Sequence, residues 1–263
     1  MNSRKMKTSL GTFNVFERIV DNEVATIICF PAMGINNAYF DNYYLYESLN
    51  DYDFNIISVD MLGQGYSSNP LNTDRNLENI SQEIKEVINN ISADNKILLF
   101  HSFTSMYLLN VIDDVDLAGA IFIDPTIPSV IFNNPDDINK MINDAKNPEE
   151  VDADVNPLLP ENLKNKAIEL YNMKSGDDFE INELENATDT SEKLLNSTID
   201  DKMPVLNILS TLNIDLYKTN GNPYFNKNRN SIEMVLNGHH FIQWQHPEYI
   251  ASAINMFITR IIK

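Results

Sequence analysis

Ser102 stands where the apolar run Lys96-Ile97-Leu98-Leu99-Phe100 passes through His101 into a helical stretch, and a serine at such a junction has a chemical use. A sharp strand-to-helix turn lifts the hydroxyl above the carboxyl edge of a sheet, and the amide of Phe103 and the helix N-terminus then face any oxyanion formed beside it. The same residue would also serve as a plain helix N-cap. To become a nucleophile the hydroxyl needs a base. His240, in Gly238-His239-His240-Phe241, follows the last apolar run and precedes Pro247 by seven residues, where a loop histidine can reach back over a sheet edge. The remaining histidines, His101, His239 and His246, lack the helical spacing of a metal pair. Cys29 is the only cysteine and lies in an apolar run, so neither a disulfide nor a metal cluster is expected.

The elements that would carry these residues alternate. Thr26–Phe30, Asn55–Val59, Lys96–Phe100, Gly119–Ile123, Pro204–Leu209 and Ser231–Leu236 are short apolar runs of the kind buried on both faces of a sheet. Asn76–Ile91, Ser102–Val111 and Pro247–Ile262 are apolar at helical spacing. Strand and helix in alternation predict an α/β fold with a mostly parallel sheet. The opening segment, Thr8–Arg18, reads as a strand or hairpin leading into it. From Pro128 to Met203 the alternation stops. Helical character persists over Ile138–Ala145, Leu163–Met173 and Ile181–Leu195, which predicts a helical cap insertion at 128–203 in a core made of 1–127 and 204–263.

A chain of 263 residues, 43% hydrophobic, is long enough for one large unit with its own core. The net charge of −19, from 38 acidic and 19 basic residues, repels phosphate backbones and acidic lipid surfaces, so neither nucleic acid nor membrane is expected as a partner. The insertion alone carries 18 acidic against 7 basic residues. No apolar run is long enough to span a bilayer, and no apolar stretch follows Met1-Asn2-Ser3-Arg4-Lys5 as a signal would require, so a cytoplasmic location is expected.

Two further segments complete a pattern. Phe30-Pro31-Ala32-Met33-Gly34 occupies the place of a His-Gly loop after a third strand, and Asp60-Met61-Leu62-Gly63-Gln64-Gly65-Tyr66-Ser67 matches an Asp-x-x-Gly-x-Gly-x-Ser loop after a fourth. With the Ser102 and His240 segments these resemble the α/β-hydrolase superfamily over nearly the whole chain. The likeness extends to small bacterial serine hydrolases whose elbow reads Gly-His-Ser-x-Ser-Gly-x-Tyr, with His101, Ser102, Thr104 and Tyr107 in register. The resemblance implies Ser102 as nucleophile, His240 as base and the amides of Ala32 and Phe103 as the oxyanion hole. The substrate would be a small, not strongly anionic acyl compound, cleaved without a cofactor.

The resemblance leaves the acid open. Its commoner place, a Gly-x-x-Asp turn after the strand that follows the insertion, falls on Asn213, which carries no charge. Asp124, in Ile123-Asp124-Pro125-Thr126, is the preferred acid because it follows a buried strand, as in the lipase-type arrangement; Asp215 is the alternative. A second departure is Phe100, where elbows carry glycine, and a ring there is expected to crowd the turn. Phe100 and Asn213 together suggest the rival reading, a hydrolase-fold ligand-binding protein with little turnover. Cys29-Phe30-Pro31 faintly resembles the start of type II thioesterases, but so acidic an insertion disfavours a polyanionic acyl-CoA.

Overall fold

The computed structural model describes residues 1–34, 37–147 and 155–262, so residues 148–154 of the expected insertion lie outside the described residues. The chain runs β1 (Asn2–Lys7), β2 (Thr12–Arg18), β3 (Ala25–Cys29), α1 (Ala38–Asp41), α2 (Tyr43–Ser48), β4 (Phe54–Val59), α3 (Leu77–Asn90), β5 (Lys96–His101), α4 (Ser105–Val111) and β6 (Gly119–Ile123). Among the described residues five helices follow: α5 (Pro128–Asn133), α6 (Pro135–Lys146), α7 (Glu161–Lys174), α8 (Asp178–Glu185) and α9 (Ala187–Lys193). The chain closes with β7 (Val205–Ser210), α10 (Ile214–Asn220), β8 (Ile232–Leu236), α11 (Ile242–Gln245) and α12 (Pro247–Ile261).

One eight-stranded sheet has the order β1-β2-β4-β3-β5-β6-β7-β8, antiparallel at β1 and β2 and parallel from β4 to β8. Because β3, β4, β6 and β7 are buried along their whole length, alternate residues feed two cores. On one face Ile28, Leu98, Phe100 and Phe122 pack with α3 and α4 through Ile80, Ile84, Met106 and Tyr107. On the other, Ile27, Leu99, Ile121 and Ile208 pack with α12 through Ile250, Ile254 and Phe257. Ile138 of α6, Ala187 of α9 and Leu194 just after α9 join the first core, so these helices share apolar packing with the sheet layer.

The hairpin differs from expectation in its first strand. Asn2–Lys7 is polar and only Met6 is buried, so an edge strand formed by pairing alone left no alternation to read. The helical stretch expected over Ile181–Leu195 is two helices divided at Asn186, whose amide bonds back to the Asn182 carbonyl at 2.9 Å. No helix among the described residues is long and apolar enough to cross a membrane.

Phe100 is fully buried and lies flat against Phe30, ring centroids 4.8 Å apart and planes 10° from parallel. The ring expected to crowd the turn is therefore stacked into the core. Phe100→Ala should cost about 3–5 kcal/mol of stability. Urea denaturation measures it, and a loss below about 1 kcal/mol would show that the stack contributes little.

Candidate active site

Strand register brings the candidate residues together. β3 is the topological switch point, with β4 on one side and β5 on the other, and in an open parallel sheet the crevice beyond the carboxyl ends at that point is where ligands bind. His101 pairs with Ile123, so the next residues, Ser102 and Asp124, leave neighbouring strands side by side. Ile123 in turn pairs with Ile208, which sets Ser210 beside Asp124.

Both strand ends are strained. Ser102 has φ +60° and Asp124 has φ +39°, the two positive values among non-glycine residues that the structure describes. A left-handed non-glycine residue costs about 1–3 kcal/mol and persists only where its surroundings hold it. Thr104 Oγ1 does part of the holding, its single proton shared between the carbonyls of Pro31 (2.8 Å) and His101 (2.9 Å), and so ties the turn to the loop after β3. The Thr126 amide donates to the Ser102 carbonyl at 3.1 Å, joining the ends of β5 and β6.

His240 lies between serine and carboxylate. Its Nδ1 donates to Asp124 Oδ2 at 2.7 Å, and Nε2 accepts from Ser102 Oγ at 2.7 Å. The tautomer follows from the acceptor-only carboxylate on the Nδ1 side. Asp124 is fully buried and also receives the Ser210 amide (2.7 Å), the Ser210 hydroxyl (2.9 Å) and Asn213 Nδ2 (2.6 Å). Burial opposes its ionisation, but the bonds from His240 and Ser210 prevail and hold the carboxyl below its ordinary value. Burial lowers the imidazole of His240, Asp124 opposes that, and nearby His101 adds to it; the net direction is downward from 6.5.

Asn213 occupies the junction of β7 and α10, with Nδ2 also 3.3 Å from His240 Nδ1. The neutral amide thus supports the Asp124 carboxylate from the place where the resemblance put an acid. Asp215 points away to solvent on α10 and pairs with Lys218 at 2.8 Å. Ala32 and Phe103 are buried beside the serine's turn, and neither amide donates to a protein acceptor among the described residues. Sequence reasoning missed the buried support behind His240. His101 Nε2 donates to the His240 carbonyl (3.0 Å) and its Nδ1 lies 3.3 Å from Gln243 Nε2. Gln243 and the Trp244 indole both donate to Asp41. His101 was visible only as the residue before the serine, and Asp41 and Gln243 carried no motif.

No protein-family model matches the chain, and no curated protein matches it in sequence. Solved structures do. An epoxide hydrolase of Vigna radiata superposes with a TM-score of 0.74 at 14% identity, covering 98% of each chain. A haloalkane dehalogenase of Agrobacterium tumefaciens gives 0.69 at 17%, over 99% of this chain and 97% of that one. The chain has the α/β-hydrolase fold. A proline iminopeptidase of Mycobacterium smegmatis (0.70 at 11%, over 99% and 98%) has the same architecture. In this α/β-hydrolase fold the serine's turn lies at the end of β5, and helices α5 to α9 enter between β6 and β7.

The strain at Ser102 is separable from its hydroxyl. Ser102→Gly and Ser102→Ala both remove Oγ, but only glycine takes φ +60° freely, so the glycine variant should be the more stable by about 0.5–1 kcal/mol despite its looser unfolded chain. Paired thermal or urea unfolding checks this; an alanine variant of equal or greater stability would mean the turn is not strained.

Proposed function

We propose that the protein is a serine hydrolase that cleaves a carboxylic ester or related acyl bond of a small, not strongly anionic substrate. The observation that carries this reading is the unbroken relay from Asp124 through His240 to Ser102, both links 2.7 Å. Ser102 Oγ attacks the carbonyl carbon as its proton passes to His240 Nε2, and Asp124 stabilises the imidazolium. The tetrahedral oxyanion is received by the amides of Ala32 and Phe103. Collapse breaks the bond to the leaving oxygen, which takes the proton from His240. Water, deprotonated by the same imidazole, then attacks the acyl-serine, releasing the acid and restoring the hydroxyl. No cofactor enters these steps.

The chemistry of the nucleophile favours acyl transfer over displacement at saturated carbon. An acyl-serine is an ester that water can cleave, whereas alkylation of Ser102 would leave an ether with no carbonyl for water to attack. The epoxide hydrolase and the dehalogenase therefore share architecture with this chain without supplying its substrate.

Ser102→Ala should reduce hydrolysis of a short p-nitrophenyl ester by several orders of magnitude and abolish labelling by a fluorophosphonate probe. Asp124→Asn should lose about 10⁴ in turnover, and Asp215→Asn should lose almost nothing. A folded wild-type protein that neither labels nor turns over would favour the binding protein.

Because neutral imidazole is the active form and its pKa is lowered, kcat/KM should rise with pH through a midpoint below 6.5 and then level off. A midpoint at or above 7 would mean that the carboxylate outweighs burial at His240.

A further inference from the structure

A cavity of about 260 Å³ opens beside His240 and is walled by Pro125, Ile127, Val130, Leu212, Leu216 and Tyr217. We propose that this cavity receives the alcohol portion of the substrate, an uncharged aliphatic or aryl-alkyl group. The inference rests on the ester-cleaving reading given above and adds the identity of the leaving group.

Three observations carry it. The first is position. The leaving oxygen must come within hydrogen-bond reach of His240 Nε2 to take its proton, while the carbonyl oxygen turns toward Ala32 and Phe103. The cavity borders His240 and Thr126, whose Oγ1 is 3.5 Å from Ser102 Oγ, and no residue of the Ala32–Gly34 loop lines it. It therefore lies on the side from which the alcohol departs. A second cavity of about 240 Å³ lies over Met33 and Gly34, with Asp144 and Glu180 at its edge, and does not touch His240.

The second is lining. Six of the walls are apolar, and the polar contributors are limited to Thr126, Asn213 and His240. Asn213 already donates to Asp124, and the Tyr217 hydroxyl already donates to the Pro125 carbonyl. No lysine or arginine is present among the described lining residues to receive a carboxylate or phosphate. Leu212 and Leu216 keep 64% and 42% of their surface exposed at the rim, apolar area that an alkyl group would cover. At ~30 Å³ per water-sized group the volume holds roughly eight or nine non-hydrogen atoms, the size of a hexyl or phenylethyl alcohol.

The third is preorganisation. The wall from Pro125 to Ile127 is fixed by two buried tyrosines, Tyr217 on the Pro125 carbonyl and Tyr224 on the Thr126 carbonyl at 2.6 Å, and by the Thr126 amide on Ser102. The space is thus shaped before any substrate arrives, and ordering it on binding costs little.

Two measurements test the assignment. In acetate esters of methanol through octanol and of 2-phenylethanol, kcat/KM should climb by up to about fourfold per methylene and level off when the cavity is full, near hexyl to octyl. Independently, 1-hexanol should bind the wild-type protein saturably, with NMR shifts at the methyl groups of Ile127, Val130 and Leu216. Leu212→Asp and Leu216→Asp, both at the exposed rim, should flatten the chain-length slope and weaken hexanol binding. A flat alcohol series, or hexanol shifts absent from these methyl groups, would overturn the assignment. Hexanol bound at these residues with no ester hydrolysed would support the ligand class of the cavity and overturn the ester-cleaving reading instead.

Discussion

A carboxylate with no exposure to solvent is the constraint around which the site is arranged. Asp124 is fully buried, and an isolated charge in that position would give up its proton only at great cost. Four donors make the charge tolerable: two from Ser210, one from Asn213 and one from His240. They come from three residues in the chain's last third, so the alignment of β6 with β7, the turn into α10 and the loop after β8 all converge on one oxygen pair. The imidazole is held at Nδ1 by this carboxylate, and its backbone is held from behind by His101. The direction in which Nε2 faces Ser102 is thereby fixed.

Much of this was legible in the residue order because it follows from local rules. Runs such as Ala25–Cys29 and Gly119–Ile123 are apolar at every position, which only strands covered on both faces tolerate, and the junction at Ser102 follows directly from one such run. Asp124 was readable as the residue that ends a buried strand. What Asn213 does was not readable: its amide matters only because tertiary structure sets it 2.6 Å from that carboxylate, 89 residues away in sequence. Phe100 misled because a pattern at the elbow speaks of sterics in one setting. Here the loop after β3 supplies Phe30 as a flat partner. Short helices such as Ile242–Gln245 escaped because four residues hold too few positions to show a period.

The acidic insertion is attached by more than apolar contact. Arg75, almost without exposure, forms a two-pronged pair with Glu83 of α3, while Glu183 of α8 accepts from the Tyr107 hydroxyl (2.8 Å) and from Gln64 (3.1 Å). Burial raises the pKa of both glutamates, and Arg75 opposes that rise in each. One guanidinium thus serves two carboxylates on opposite sides of the junction between sheet layer and insertion. Removing it would leave two buried acids competing for protons, so the docking of α8 depends on a charge balance that the surface composition conceals.

Placing the buried carboxylate of Asp124 directly after β6 also separates two kinds of heritable change. The segment from Leu212 to Tyr217 contributes one side chain, Asn213, to the charge network; its other members meet solvent or the cavity. Substitutions there can widen, narrow or polarise the recess while the hydrogen bonds from Asp124 through His240 to Ser102, anchored one strand away, stay as they are. In a fold whose acid sat on that same turn, each such change would disturb chemistry and selectivity together. Under the proposed function, a lineage could exchange one alcohol for another by drift at a few leucines, and directed evolution could begin at the same few codons.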